Sequence, residues 1–247
     1  MSQAAHGTVA VVVGVGAVQG TGAALCRRFA AEGLHVFAAG RTPEKLAAVA
    51  SDVESRGGRI TPVAMDTTVA ADVSALLDRA LDEGGALDAV IYNAGNNRFR
   101  GLLDMDDAFF EDLWRLCCFG GFLVGRESAR RMVPRGGGSL LFTGATASIR
   151  ARPPFTAFAS AKAALRAVAH GMAREFGAQG LHVGHVVVDG VIDGDQVNTR
   201  LPQVKEQRGA EGMLQVDDIA DAYWRLHTQP RSAWTLEIDL RPFRESF

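Results

Sequence analysis

The chain is poor in tyrosine, lysine and cysteine. It has two tyrosines, Tyr92 and Tyr223, and three lysines, Lys45, Lys162 and Lys205, in 247 residues. Its three cysteines, Cys26, Cys117 and Cys118, are odd in number and two are adjacent, a spacing that rarely closes an unstrained disulfide. A disulfide-stapled secreted domain is therefore excluded, and a reducing cytoplasm is the expected compartment. No run approaches 18 uninterrupted apolar residues, and the start "MSQAAHGTVAVVVG" lacks a charged region followed by a long apolar one, so neither export nor membrane insertion is implied. Charge is balanced, Lys+Arg 26 against Asp+Glu 28, with no run of one sign. That argues against a nucleic-acid partner. No cluster suggests a metal site.

What is present is a core: 47% of the residues are hydrophobic, enough for one α/β domain spanning 1–247. Short β-branched runs alternate with longer segments of helical period, the pattern of a parallel sheet with crossover helices. Strands are expected at 8–14, 34–39, 59–65, 87–92, 138–143, 181–188 and 233–239. Helices are expected at 20–32, 43–56, 69–83, 106–133, 157–177 and 215–228. The segment 189–214, "DGVIDGDQVNTRLPQVKEQRGAEGML", breaks this rhythm and is expected to be irregular. Such a segment reads either as a substrate lid or as a surface excursion.

The first expected strand runs into "VGAVQGTG", with Gly16, Gly20, Thr21 and Gly22 at the opening of a helix. Glycines let the chain approach a pyrophosphate, and the helix start offers free N–H groups. The second strand ends in Gly40 and Arg41 rather than a carboxylate. A forked cation there suits a 2′-phosphate and favours NADP(H) over NAD(H). The alternative is that Arg41 merely flanks the helix begun by Thr42 and Pro43.

With those residues placed, the chain resembles the short-chain dehydrogenase/reductase family. The marks run in order: "GAVQGTG", Asp66 in "AMDTT", Asn93, Ala94 and Gly95, and an aromatic residue four positions before Lys162. The resemblance implies a single Rossmann-type, doubly wound α/β domain with a mostly parallel seven-stranded sheet and a nicotinamide dinucleotide at its carboxyl edge. It implies that Asp66 meets the adenine, that Asn93, Ala94 and Gly95 wall the adenosine side, and that Lys162 holds the nicotinamide ribose. It further implies contacts from Gly190 and Ile192, and a homodimer or homotetramer built through the long helices.

The family's catalytic set is Asn, Ser, Tyr and Lys. Here Cys117, Ala145 and Phe158 fall at the first three positions, and only Lys162 matches. Asp189 and Gly190 stand where the family has Pro-Gly, and Gly194 where a cofactor-touching threonine is common. Without a phenol or serine hydroxyl, ordinary ketone reduction loses its acid. Thr146, Ser148 and Cys117 are the nearby substitutes. Asp189 reads either as a proton relay or cation-binding group, or as a cap on the next turn. Three functions remain open. The first is an NADP(H)-dependent oxidoreductase using Lys162, Thr146 and Asp189 on a hydrophobic conjugated C=C or imine. The second is a silent NADP(H)-binding sensor or partner subunit, and the third an isomerase or lyase. Phe155, Phe158, Ala145 and Ala147 predict an apolar pocket floor and a small hydrophobic substrate.

Overall fold

A computed structural model describes residues 7–209 and 211–245. The outermost residues of the expected 1–247 domain, and Ala210 of the 189–214 segment, lie outside the described residues.

The β-branched run "TVAVVV" makes β1 (Thr8–Val13), buried on both faces from its second residue, as an inner parallel strand must be. It is followed by α1 (Thr21–Ala31), β2 (His35–Gly40), α2 (Pro43–Ser55), β3 (Arg59–Ala64), α3 (Ala70–Gly84) and β4 (Ala86–Tyr92). Pro62 is tolerated in β3 because that strand is an edge. The second half contains α4 (Asp107–Trp114), a π-helical turn at Arg115–Phe119, α5 (Gly120–Met132), β5 (Gly138–Thr143), α6 (Thr156–Phe176) and β6 (Leu181–Val188). The chain then forms β7 (Ile192–Asp193), α7 (Asp195–Arg200), α8 (Pro202–Arg208), β8 (Leu214–Gln215), α9 (Val216–His227) and β9 (Glu237–Leu240).

Seven strands form one sheet in the order β3-β2-β1-β4-β5-β6-β9, and every pairing in it is parallel. One buried cluster packs α1, α2 and α9 on one face, through residues such as Phe29, Leu46 and Ile219. A second packs α3, α5 and α6 on the other, through Leu77, Leu123 and Leu165. The order reverses between β1 and β4, which opens a crevice above their carboxyl ends.

Three expectations are corrected. The expected helix 106–133 is interrupted by the π-helical turn, where the Tyr92 hydroxyl donates to the Leu116 carbonyl. The expected strand 233–239 starts at Glu237, because a 3-10 turn at Arg231–Ala233 follows Pro230 and the Gln229 side chain holds Thr235. The 189–214 segment is not irregular: two short helices lie between β7 and β8, which pair with each other in a separate two-stranded sheet.

Candidate functional site

The glycine loop is shaped by close approaches. Gly14 has φ +99°, and a Cβ there would lie 2.3 Å from the Ala94 nitrogen; only glycine fits. A Cβ on Gly22 would lie 2.6 Å from the Gly14 carbonyl oxygen, so this glycine lets α1 pack against the loop. Gly16 is different in kind, since a Cβ there would meet nothing within 4 Å. Gly20 caps α1 without a side-chain hydrogen bond, and Thr21 opens the helix, leaving first-turn N–H groups for an anion. The loop thus has room and donors for a pyrophosphate.

Arg41 is exposed just past β2. Asp66 follows β3, and the Thr68 backbone N–H, 2.8 Å away, holds its carboxyl below the usual carboxylate range. The Thr68 hydroxyl and the charges of Arg41 and Arg115 act in the same direction, against desolvation. Arg41 and Asp66 are therefore electrical neighbours at the far end of the crevice. Asn93 has a structural task as well: its amide donates to the Gly14 carbonyl at 3.0 Å and accepts from Thr143 at 3.1 Å. Thr143 also bonds the Tyr223 hydroxyl at 2.6 Å, so four elements are tied together around the crevice floor.

Lys162 is brought to that floor by α6. Its side chain is 3% exposed and its ammonium donates to the Thr143 carbonyl at 2.7 Å. Burial pulls it below the ordinary lysine range. A Cβ on Gly95 would stand 3.2 Å from the Lys162 Nζ and 3.8 Å from the Cys117 Sγ, which places β4's end, the π-helical turn and α6 at one point. The Phe158 ring centroid is 5.9 Å from that Nζ. Phe158, Cys117, Leu113 and Ala157 form a small buried cluster, with Ala145, Ala147 and Phe155 packed against it. The four apolar residues expected to floor the pocket are brought together. Both phenols are fully buried and their hydroxyls are engaged, and burial pushes both above the ordinary tyrosine range.

The polar candidates separate. The Ser148 hydroxyl accepts from the Ala145 backbone N–H at 3.1 Å. Thr146 donates to Asp189 at 2.5 Å, and Arg150 reaches both Asp189 carboxylate oxygens, at 2.9 and 2.7 Å. Arg241 adds a contact at 3.3 Å, and Asp189 is 2% exposed. Sequence reasoning paired Thr146 with Asp189 only by role. It missed Arg150 altogether, and the signal available was its place in the turn that leaves Ala145. Gly190 packs against Pro242, and Ile192 pairs with Leu214. The Asp195 N–H donates to the Gln19 carbonyl at 2.9 Å, so the segment after β6 leans on the glycine loop. Among the described residues, His170, His185 and Glu237 form the one group spaced for a metal ion, but Arg166 already grips Glu237 with two hydrogen bonds and neutralises it.

The short chain dehydrogenase family profile matches residues 9–204. The chain is 32% identical over 215 residues to the oxidoreductase YuxG of Bacillus subtilis, covering 84% of this chain but only 30% of that longer protein. A short-chain dehydrogenase structure from Rhodopseudomonas palustris superposes with a TM-score of 0.82 at 39% identity, covering 97% of this chain and 100% of the other. A metagenomic short-chain oxidoreductase solved with NADP has a TM-score of 0.80 at 25% identity, covering 95% and 97%. No helix among the described residues is long and apolar enough to cross a membrane.

Proposed function

Because this chain belongs to the short chain dehydrogenase family, we propose that it is an NADP(H)-dependent oxidoreductase whose hydrophobic substrate, a conjugated C=C or an imine, needs no phenolic acid. The observation that carries the proposal is the Lys162 ammonium, buried and fixed on Thr143 at the foot of an open glycine loop, beside a floor built from Phe158 and Ala145. When bound, the dinucleotide supplies or accepts a hydride. The chain's own residues do the rest. The glycine loop and the α1 N-terminus receive the pyrophosphate, Arg41 the 2′-phosphate, and Asp66 the adenine. Lys162 orients the ribose through its ammonium. Phe158, Phe155 and Ala147 form the apolar floor on which the substrate rests. The 189–214 segment closes over it as a lid, tied to the glycine loop where the Asp195 N–H donates to the Gln19 carbonyl.

Calorimetry with NADPH and NADH tests the first half. NADPH should bind more tightly, and Arg41→Ala should weaken NADPH about tenfold or more while leaving NADH nearly unchanged, since a bond to a charged group contributes about 1.5–3 kcal/mol. Equal weakening of both would remove the 2′-phosphate assignment. Oxidation of NADPH by an enone and imine panel tests the second half. Tight binding with no turnover across the panel would favour a silent sensor or partner subunit, and turnover that survives removal of the cofactor would favour an isomerase or lyase.

A further inference from the structure

The reduction of a substrate without a phenol still leaves negative charge to be received. Were a reduced nicotinamide to give up its hydride, and so be oxidised, to the β-carbon of a conjugated carbonyl, the C=C electron pair would move toward the carbonyl and the oxygen would become an enolate. The proton that completes the reaction then comes from water at the α-carbon. The acute need is thus a fixed donor for an oxyanion, not an acid.

We propose that Arg150 is that donor, a catalytic residue that stands in for the absent serine and tyrosine hydroxyls; this rests on the function proposed above. Arg150 lies in the turn that leaves Ala145, and its backbone N–H returns to the Thr146 carbonyl at 2.9 Å. Both of its bonds to Asp189 come from a single nitrogen, Nη2. Its Nε is buried and has no hydrogen-bond partner among the described residues. A buried donor left unpaired is unfavourable, and an arriving oxyanion is one partner that would satisfy it. The side chain is 29% exposed through atoms other than Nε, so an oxyanion reaches that nitrogen only when the groups covering it shift.

Asp189 supports this role. It is buried, it takes a hydrogen bond from Thr146, and it fixes the guanidinium by its Nη2 corner while leaving Nε unused. On this assignment Asp189 and Thr146 are positioning residues, and the carboxylate where the family has proline acts through Arg150. A guanidinium gives a directional, cationic N–H without needing to lose its proton. The substrate class narrows accordingly. It is a hydrophobic molecule whose carbonyl conjugates with the reacting C=C, so that charge accumulates on oxygen.

The test needs no turnover. 4-Nitrophenol carries an enolate-like oxygen on an apolar ring, and its yellow anion and colourless acid are both populated near neutral pH. Absorbance titrations of the probe bound to the full chain should show its acid midpoint about one to three pH units below that of the free probe, as a cation at contact distance produces. Arg150→Gln should return the bound midpoint to the free value. Because that variant leaves Asp189 without its main partner, the double variant Arg150→Gln with Asp189→Asn keeps a hydrogen bond without either charge, and it should behave the same way. Arg150→Lys should keep only part of the effect. A bound midpoint equal to the free one, or one unchanged in both glutamine variants, overturns the assignment, as does failure of the folded parent to bind the anion at any pH. Loss of NADPH affinity in the parent calorimetry, with the midpoint still lowered, would instead overturn the proposed function and leave Arg150 as an anion site.

Discussion

On the proposed alignment, Phe158 and Ala145 each lack a hydroxyl that ketone reduction in this family uses. The Lys162 ammonium lies 5.9 Å from the Phe158 ring centroid, and a cation at that range lowers the pKa of a phenol. The serine hydroxyl has a separate task, polarising the carbonyl that the phenol protonates. The double change Phe158→Tyr with Ala145→Ser should therefore create ketone reduction, with kcat/KM rising about 10²-fold or more over the parent, while Phe158→Tyr alone should give little. Steady-state rates on an aromatic ketone check this, and an equal gain from the single change would displace Ala145 from the serine position. The sequence exposed these two positions because their spacing to Lys162 is local. It did not expose Arg150, whose pairing with Asp189, 39 residues later, only the fold brings about.

Element boundaries were legible where burial and local propensity agree. The strands 138–143 and 181–188 are found as expected, and each carries a run of apolar residues between glycine-bearing turns. The long helix failed at Leu116, where a hydroxyl from β4 reaches a helical carbonyl; no pattern within residues 106–133 records that partner. The π-helical turn that results brings Cys117 to Gly95 and Lys162. A second consequence belongs to α5 and α6. Between them runs an apolar groove lined by Phe122, Val133, Ala167, Val168 and Phe176, with Arg126 and Glu175 at its edges. On the expected homodimer or homotetramer, a second copy of the chain would cover this groove. Ala167 is exposed, so Ala167→Arg should leave the fold intact while blocking the contact. Sedimentation velocity should then show an oligomer for the parent and a monomer for the variant; a parent that sediments as a monomer would sink this assembly.

For the molecule as a whole, acid should loosen the edge of the sheet first. His185 is fully buried on β6, and desolvation pushes its imidazole down to about 4 from 6.5, although its hydrogen bond to Glu237 opposes this. The unfolded chain takes up that proton below about 6.5 while the folded chain does not, so stability falls as pH drops from 6.5 to 4. Glu237 acts lower down. The Arg166 guanidinium holds its carboxyl at about 2 against an ordinary 4.5, so its stabilisation is present above 4.5 and is lost as pH falls toward 2. His35 and His182 are lowered by burial and act in the same sense as His185. Calorimetric Tm should therefore decline between pH 6.5 and 4, and His185→Gln should flatten that part of the curve. An unchanged slope in the variant would assign the decline to the other histidines.

Taken by itself, the sequence determined the alternation of strands and helices, the glycine loop and the residues aligned with Lys162, because each of these is written in neighbouring positions and in a single period. It also determined what is missing, since the absence of a hydroxyl at 145 and 158 needs no coordinates. Only the tertiary structure decided what stands nearby. Gly14 must be glycine because Ala94 presses on it, Asn93 is occupied by Gly14 and Thr143, both phenols are sealed in the interior, and Asp189 is matched with Arg150 and Arg241. Those facts are contacts between segments far apart along the chain, and a contact of that kind exists only once the sheet has brought its carboxyl ends together.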